Sequence, residues 1–589
     1  MNAVKHLMAV REIPEHLLLY TVQQDASLYT PIDHASWRFI LKISRAFFAS
    51  HAHQKYLDGL RETGISLERI PLIQEMDACL SRFGWRAVAV SGFIPPMAFM
   101  EFLSLGILPI ACDMRSLEHL AYTPAPDIVH EAAGHAPIIA DPEYQAYLRA
   151  YGEISRKAIS SDQDHAVYLA IRDLSVVKEN PASTPADIAA AQKSLDKALS
   201  GVTYLSESAE IARMNWWTIE YGLVGDLANP KIYGAGLLSS VGESYHCLGP
   251  SVKKVPLTVD CIRQSYDITR PQPQLFVTPS FHELTVILNE LAETMAFRRG
   301  GSEGLGKAQR AHTTATAVLD SGLEISGTLA GFEQAGEAPA YLMYQGPTQL
   351  SFAGEELPGQ GASYHAQGFG SPVGRIRRAN GTLQNPAELT DAELEALGFA
   401  PGRKGKLEFE SGVTVVGVLT SRVSREGSNL ILVFEGATVT LGARKLFEPT
   451  WGTFDMACGS RVVSVYGGAA DRARYLADTV GMKSEEVRQK TNLTPANRGL
   501  NQLYGRIRKV REGGNLAGAG SELESVRAEL DRAFPEDWLA RFELVELLPP
   551  SPARTSLCAQ LQSHATRHPA HAELIARGLS SLEQEAARA

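Results

Sequence analysis

Two histidines five residues apart, His130 and His135, stand in the segment Pro126-Asp-Ile-Val-His-Glu-Ala-Ala-Gly-His135. Neutral imidazoles are common ligands of transition metals, so a close pair can hold one. In the zinc-protease pattern H-E-x-x-H the histidines are four apart and share one helix face. A five-residue step on a regular α-helix turns about 500°, and the side chains diverge. The pair therefore converges only if the helix ends between them. Gly134 allows this, because glycine readily takes the left-handed conformation that closes helices. Pro137 prevents simple continuation, and Pro124, Pro126 and Asp127 mark the other end, with Asp127 as a cap. The expectation is a short helix with His130 near its end and His135 just beyond it. Two imidazoles and one carboxylate on one face of an octahedron form the arrangement used for non-haem Fe(II). That count leaves positions open for water, O2 or a cosubstrate. Glu220, in Asn215-Trp-Trp-Thr-Ile-Glu-Tyr-Gly222, is the candidate carboxylate. On these residues alone a hydrolytic zinc site is the rival, and a packed, hydrogen-bonded histidine is the plainer reading of either ring.

The elements that must position these residues read as helical. Trp37–Ala49 and Phe281–Phe297 carry apolar residues at i, i+3, i+4 spacing and predict amphipathic helices. Ser160–Ser200 is a polar helical insertion with a cap-like start at Ser183-Thr-Pro-Ala-Asp187. Arg298–Lys307 (RRGGSEGLGK) reads as a glycine-rich break and a domain boundary. Beyond it the pattern changes. Asp320-Ser-Gly-Leu-Glu-Ile-Ser-Gly-Thr-Leu329 parallels Glu410-Ser-Gly-Val-Thr-Val-Val-Gly-Val-Leu419, and Tyr344-Gln-Gly346 parallels Phe434-Glu-Gly436. Alternating apolar residues between glycine turns predict short antiparallel strands. The expectation is a duplicated β unit with a helix over about Thr390–Leu397 between its copies. From about residue 470 helical patterning returns, at Leu523–Phe534 and Ala570–Ala586, with Pro549, Pro550 and Pro552 between them.

With 589 residues the chain exceeds one core and predicts roughly two to four domains. A net charge of −10 argues against a nucleic-acid partner, which needs a basic footprint. Six scattered cysteines with no C-x-x-C pair fit free thiols in a reducing compartment. The N-terminus lacks a signal-peptide core, and no apolar stretch approaches the ~20 residues of a membrane span. A cytoplasmic protein without a membrane partner is expected. Gly301-Ser-Glu-Gly-Leu-Gly-Lys307 has phosphate-loop spacing, but Ala308 follows where Ser or Thr is needed, so it reads as a flexible linker. Gly234-Ala-Gly236 reads as close backbone packing near the site. His165, His365 and the C-terminal histidines form no recognisable ligand pattern, and Arg375–Arg378 and Arg506–Arg511 read as solvated faces.

Several separate blocks resemble the pterin-dependent aromatic amino acid hydroxylases, in the family's order. They are Thr123-Pro-Ala-Pro-Asp-Ile-Val-His-Glu-Ala-Ala-Gly-His-Ala-Pro137, Trp217-Thr-Ile-Glu-Tyr-Gly-Leu223, Tyr233-Gly-Ala-Gly-Leu-Leu-Ser-Ser-Val-Gly-Glu243, Tyr266-Asp-Ile-Thr269 and Gln272–Phe281. The resemblance covers roughly residues 10–298. It implies a mainly helical hydroxylase domain at 10–298, interrupted by the insertion at about 160–200; with the duplicated β-rich domain at 310–470 and the helical region at 471–589 read from the residue patterns, the expectation is a multidomain α+β chain. It implies His130, His135 and Glu220 as iron ligands, and Fe(II) and a tetrahydropterin of the tetrahydrobiopterin type as cofactors. Arg115 falls where the family pairs an arginine with the substrate carboxylate, a bidentate fit. Thr123 and Ser239 fall at further substrate-side positions, Ser239 also beside the first histidine. Glu131 resembles the acid facing the pterin and is given the catalytic role. Phe99 matches an aromatic stacked on the pterin, with core packing as its plainer reading. Gly92, Phe93 and Ile94 resemble the loop whose backbone meets the cofactor. Pro96 replaces a family serine there, and Asn215 stands where tyrosine is common.

By the same resemblance, Trp216, where phenylalanine and tyrosine hydroxylases tend to carry Trp, and Ile268, where tyrosine hydroxylase tends to carry an acid, imply L-phenylalanine as substrate, with tyrosine as product and O2 as cosubstrate. Single pocket contacts are worth only ~1–3 kcal/mol of discrimination, so tryptophan or another aromatic amino acid is the alternative. A different class of reading is a binding or scaffold protein whose β repeat and tail do the work around a vestigial iron site. The complete ligand set and Arg115 speak against it. Self-association or partner binding is the expected role of the C-terminal half.

Overall fold

The long helix Pro31–His51 begins where Thr30 and Asp33 close a capping box. The Thr30 hydroxyl accepts from the Asp33 N–H, and the Asp33 carboxylate accepts from the Thr30 N–H. Trp37, Phe39, Ile40 and Ile43 are all buried. A helix apolar on more than one face must be covered on more than one side, and this one is. The computed structural model describes residues 13–588 apart from 93, 122–125, 180–182, 268–269, 379, 481–488 and 515–517. Phe93, Thr123 and Ile268 therefore lie outside the described residues.

A parallel strand pair, Arg86–Val90 and Ile107–Ala111, flanks the helix Pro96–Ser104. A four-stranded sheet runs in the order Lys231–Ile232, Leu223–Val224, Gln274–Thr278, Lys253–Pro256. The predicted insertion is a helical hairpin of Asp162–Glu179 and Pro185–Ser200, the second helix opened by a Thr184/Asp187 capping box. Phe281–Phe297 divides into helices Phe281–Ala292 and Ala296–Arg299. Among the described residues no helix is long and apolar enough to cross a membrane. All six cysteines are free thiols.

The expected linker at 298–307 is instead structured. Gly301–Ala311 is an α-helix whose Leu305, Ala308 and Ala311 are buried. Its glycines let it lie close to the sheet: a Cβ at Gly304 would sit 3.0 Å from the Val465 side chain. Lys307 pairs with the buried Glu207 at 2.9 Å. Small residues here serve close packing rather than flexibility.

The strands that follow are long where short ones were expected. A hairpin of Leu323–Ala335 and Ala338–Phe352 follows the strand Thr314–Leu319. A second hairpin of Val413–Arg425 and Ser428–Leu441 follows Lys404–Glu408. Every one of these strands starts 90 residues after its counterpart. The bulges repeat too, at Ser326/Thr328 and Val416/Val418 and at Leu329/Gly331 and Leu419/Ser421. The helix Asp391–Ala396 lies between the hairpins. Strand Val462–Gly467 returns from the second unit to pair antiparallel with Thr314–Leu319 in the first.

The C-terminal helices do not stand apart. Leu503, Ile507, Leu530, Phe542 and Leu561 belong to the same hydrophobic core as Phe39 and Ile128. Phe39 meets Trp538 and Phe542 edge-on at 5.0 and 4.9 Å. Arg38 forks onto Glu543 at 3.1 and 2.5 Å inside the contact. Arg511, expected on a solvated face, is largely buried against Glu546 at 2.6 Å.

Candidate metal centre

His130 and His135 sit together on one π-helical turn, Val129–His135. Hydrogen bonds in such a turn run from i to i+5, so residues five apart stack above one another. This replaces the expected helix end between them. Gly134 does not take a left-handed conformation, and Pro137 begins the next turn, Ala136–Ala140, rather than stopping the chain. Glycine is needed at 134 for another reason. A Cβ there would lie 2.7 Å from the Ala235 carbonyl oxygen. Glu220 ends a second π-turn, Trp216–Glu220, in which the Tyr221 N–H donates to the Trp216 carbonyl at 2.8 Å. Its backbone is approached just as closely: a Cβ at Gly234 would lie 2.4 Å from the Glu220 carbonyl. The Gly234-Ala-Gly236 segment thus packs two ligand-bearing turns against the helix Ala235–Ser239.

Three donor groups converge. His130 Nε2 and His135 Nε2 are 3.2 Å apart. Glu220 reaches them with Oε2 at 3.5 Å and Oε1 at 3.4 Å. Ligands about 2.1 Å from a first-row ion and at right angles stand about 3 Å apart, so the set fits one ion held from one side. Burial raises the Glu220 carboxyl, but the two imidazoles more than reverse this and hold it near about 2. Burial pushes His130 down to about 4 against the pull of Glu220, whereas at His135 Glu220 outweighs burial and raises it. Glu131 brings a second carboxylate to the cluster, its Oε2 3.9 Å from His135 Nε2. Burial pushes that carboxyl up to about 8, which makes it a poorer ligand than Glu220. Its Oε2 is buried without a hydrogen-bond partner, a vacancy that a polar cofactor edge fits.

The tautomer of His130 follows from its neighbours. The Ser239 hydroxyl donates to the Ala235 carbonyl at 2.7 Å, leaving lone pairs toward His130 Nδ1 at 2.9 Å. Nδ1 then carries the proton and Nε2 presents its lone pair to the cluster. Asn215, five residues before Glu220, donates weakly to its Oε1 at 3.5 Å.

Arg115 and Asp127 form a buried fork at 2.7 and 2.8 Å. Asp127 also accepts the Arg115 N–H at 3.1 Å and, as the predicted cap, the His130 N–H at 3.0 Å. The guanidinium edge formed by Nε and Nη2 is committed, and Nη1 reaches the Ser239 carbonyl at 3.3 Å. Sequence reasoning found Asp127 only as a cap. Its spacing of three before His130 was the available signal. Asp113 was missed altogether: its Oδ2 accepts from Ser91 at 2.9 Å and from the Gly92 N–H at 3.0 Å, and its Oδ1 from the Lys490 N–H at 2.8 Å. The Gly92 amide expected to meet the cofactor is thus engaged by Asp113. No local signal could announce a partner at residue 490.

Phe99, on the helix Pro96–Ser104, is partly buried with its ring centroid 6.3 Å from that of His135. Pro96 opens that helix. Ile94 packs on the small core with Val90 and Phe102. Trp216 is stacked between Tyr221 and Tyr266, both at 4.4 Å.

Residues 21–181 and 182–300 match the family described as biopterin-dependent aromatic amino acid hydroxylase. The phenylalanine-4-hydroxylase of Ralstonia nicotianae is 30% identical over 268 residues, 45% of this chain and 72% of that protein. That of Pseudomonas aeruginosa is 28% identical over 264 residues, 44% of this chain and 84% of its own. A crystal structure of Chromobacterium violaceum phenylalanine hydroxylase with bound iron(III) and oxidised cofactor 7,8-dihydrobiopterin covers 50% of this chain and 91% of that one, at 24% identity and a TM-score of 0.37.

Proposed function

The chain belongs to the biopterin-dependent aromatic amino acid hydroxylases, and from that premise we propose that it converts L-phenylalanine to tyrosine with iron(II), a tetrahydropterin and O2. Convergence of His130, His135 and Glu220 within 3.2–3.5 Å of one another carries the proposal. When bound, iron(II) and a tetrahydropterin would supply the activation of O2, one oxygen atom going to the ring and the other leaving as water, with the two electrons drawn from the pterin. The protein's share is positioning. His130, His135 and Glu220 hold the ion from one side and leave the rest open. Ser239 fixes the His130 tautomer. Glu131, whose carboxyl burial raises, is the acid on the pterin side, with Phe99 and the loop of Gly92, Phe93 and Ile94. The Nη1 side of Arg115 takes the amino acid's carboxylate, Thr123 is assigned by resemblance as a second contact to the amino acid, and Trp216 walls the ring pocket. Buried apolar neighbours such as Val129, Ala132 and Ala133 exclude water. Trp216 supports phenylalanine over tryptophan, and Ile268 supports phenylalanine over tyrosine.

We assign the chemistry to residues 10–298, a duplicated β-rich domain to 310–470 and a helical region to 471–589, the 90-residue repeat of strands and bulges supporting the duplication. A cytoplasmic location rests on cysteine usage, and self-association through the C-terminal half is testable by sedimentation. The deciding assay supplies iron(II) and a tetrahydropterin and follows products from phenylalanine, tyrosine and tryptophan. Tyrosine from phenylalanine is expected, with turnover lost in His130→Ala. Normal turnover in that variant would sink the assignment, and tryptophan as the preferred substrate would move the specificity.

A further inference from the structure

The helical tail contains a second group of metal-ligating side chains. In Ser563-His-Ala-Thr-Arg-His-Pro-Ala-His571 three histidines fall at 564, 568 and 571. The first two are four residues apart at the C-terminal end of the helix Pro552–Arg567, and their rings stack at 4.3 Å. That spacing puts both on one helix face. His571 lies on the first turn of the helix Pro569–Arg588. Glu536 comes from the turn between the helices Gly520–Ala533 and Leu539–Leu547.

Their polar atoms converge on one point. Glu536 Oε2 is 2.8 Å from His568 Nε2 and 3.6 Å from His564 Nδ1. The donor atoms of Glu536, His564 and His568 all lie within 4.8 Å of one another. The remaining atoms of the same groups are held from behind. His564 Nε2 faces His571 Nδ1 at 3.0 Å, and Glu536 Oε1 accepts from Arg567 Nη1 at 2.8 Å. Metal-binding imidazoles are oriented by a partner on their second nitrogen, and ligating carboxylates by a hydrogen bond on their second oxygen. Both kinds of support are present. The His564 side chain is 5% exposed, whereas those of His568 and Glu536 are 41% and 56% exposed. One ligand is therefore anchored in the core and the open side of the cluster faces solvent.

We propose that Glu536, His564 and His568 bind a divalent first-row cation of the zinc class, separate from the centre at His130, His135 and Glu220. Two imidazoles and one carboxylate suit zinc, with solvent completing a tetrahedron. His571 and Arg567 are positioning residues. The ion ties two segments of the tail together, the turn at Glu536 and the helix end at His564 and His568, two residues from Trp538, which packs on the helix Pro31–His51 at Phe39. Its role is to fasten the tail rather than to perform chemistry.

The test titrates Zn2+ into the chelator-treated full chain against a chromophoric competitor. Wild type, His568→Ala, His130→Ala and the double variant His130→Ala/His568→Ala are compared. His568→Ala is expected to lose one equivalent relative to wild type whatever the other centre binds. His130→Ala is expected to keep the tail equivalent and to unfold at higher temperature with Zn2+ present, a shift absent from the double variant. Because His568 is only partly buried and caps the end of its helix, circular dichroism without metal should be the same with and without its substitution. Equal Zn2+ uptake by wild type and His568→Ala, or no Zn2+-dependent shift in His130→Ala, overturns the proposal.

Discussion

At the scale of single residues the proposed centre depends on protons as much as on distances. Ser239 spends its hydroxyl hydrogen on the Ala235 carbonyl and so receives the His130 Nδ1 proton. Ser239→Ala removes that receiver and frees the ring to turn. Iron affinity is expected to fall by about 10–100-fold, the usual cost of losing an outer partner of a ligating histidine. Iron titration of the purified variant checks this, and unchanged affinity would remove Ser239 from the site. Glu131 and Glu220 show how one cavity sorts two carboxyls. The one facing both imidazoles is held ionised, while the one whose Oε2 has no partner is pushed up by burial.

At the scale of elements the two π-turns decide which residues meet. A five-residue step is useless on an α-helix and right on a π-turn, and the same step links Asn215 to Glu220. The turns can only approach because Gly134 and Gly234 carry no side chain. Gly134→Ala would press a methyl onto the Ala235 carbonyl at 2.7 Å. Overpacking of this kind costs about 1–3 kcal/mol, and here it would also spread the ligand set. Both the thermal midpoint and the iron content of the variant are expected to drop. A variant with wild-type values in both would show that the turns have slack. The same logic corrects the 301–311 segment, whose glycines looked like a linker by composition and serve as a packing face.

At the scale of the whole molecule the tail completes the core of the catalytic half. Glu543 is buried beneath Arg38 and Arg511, and removing one partner of a buried pair strands the others. Glu543→Ala is expected to destabilise the chain by about 3–5 kcal/mol, read by denaturant unfolding. A change below 1 kcal/mol would mean the contact is solvated. A second long-range contact sets the acid response. Burial raises the Glu101 carboxyl, but His16 and Arg472 more than reverse this and hold it at about 2. A carboxyl lowered in the fold contributes stability above its ordinary range, and that stability is lost as pH falls toward about 2. Arg472→Met removes the 2.5 Å partner, so Glu101 takes up its proton sooner. Acid unfolding of the variant should begin at higher pH than in wild type, and coincident acid transitions would exclude this pair.

By itself the sequence determined what is local: the residue types at 130, 135 and 220, the capping boxes at Thr30 and Thr184, the helical insertion and the repeat of the strands. Each rests on neighbours within a few residues or on a period visible along the chain. Tertiary structure decided the rest. A π-turn differs from an α-turn by a single hydrogen-bond step that no propensity announces. The partners Arg38 with Glu543, Asp113 with Lys490 and Glu536 with His564 are separated by between 28 and 505 residues, so only the folded core could bring them together.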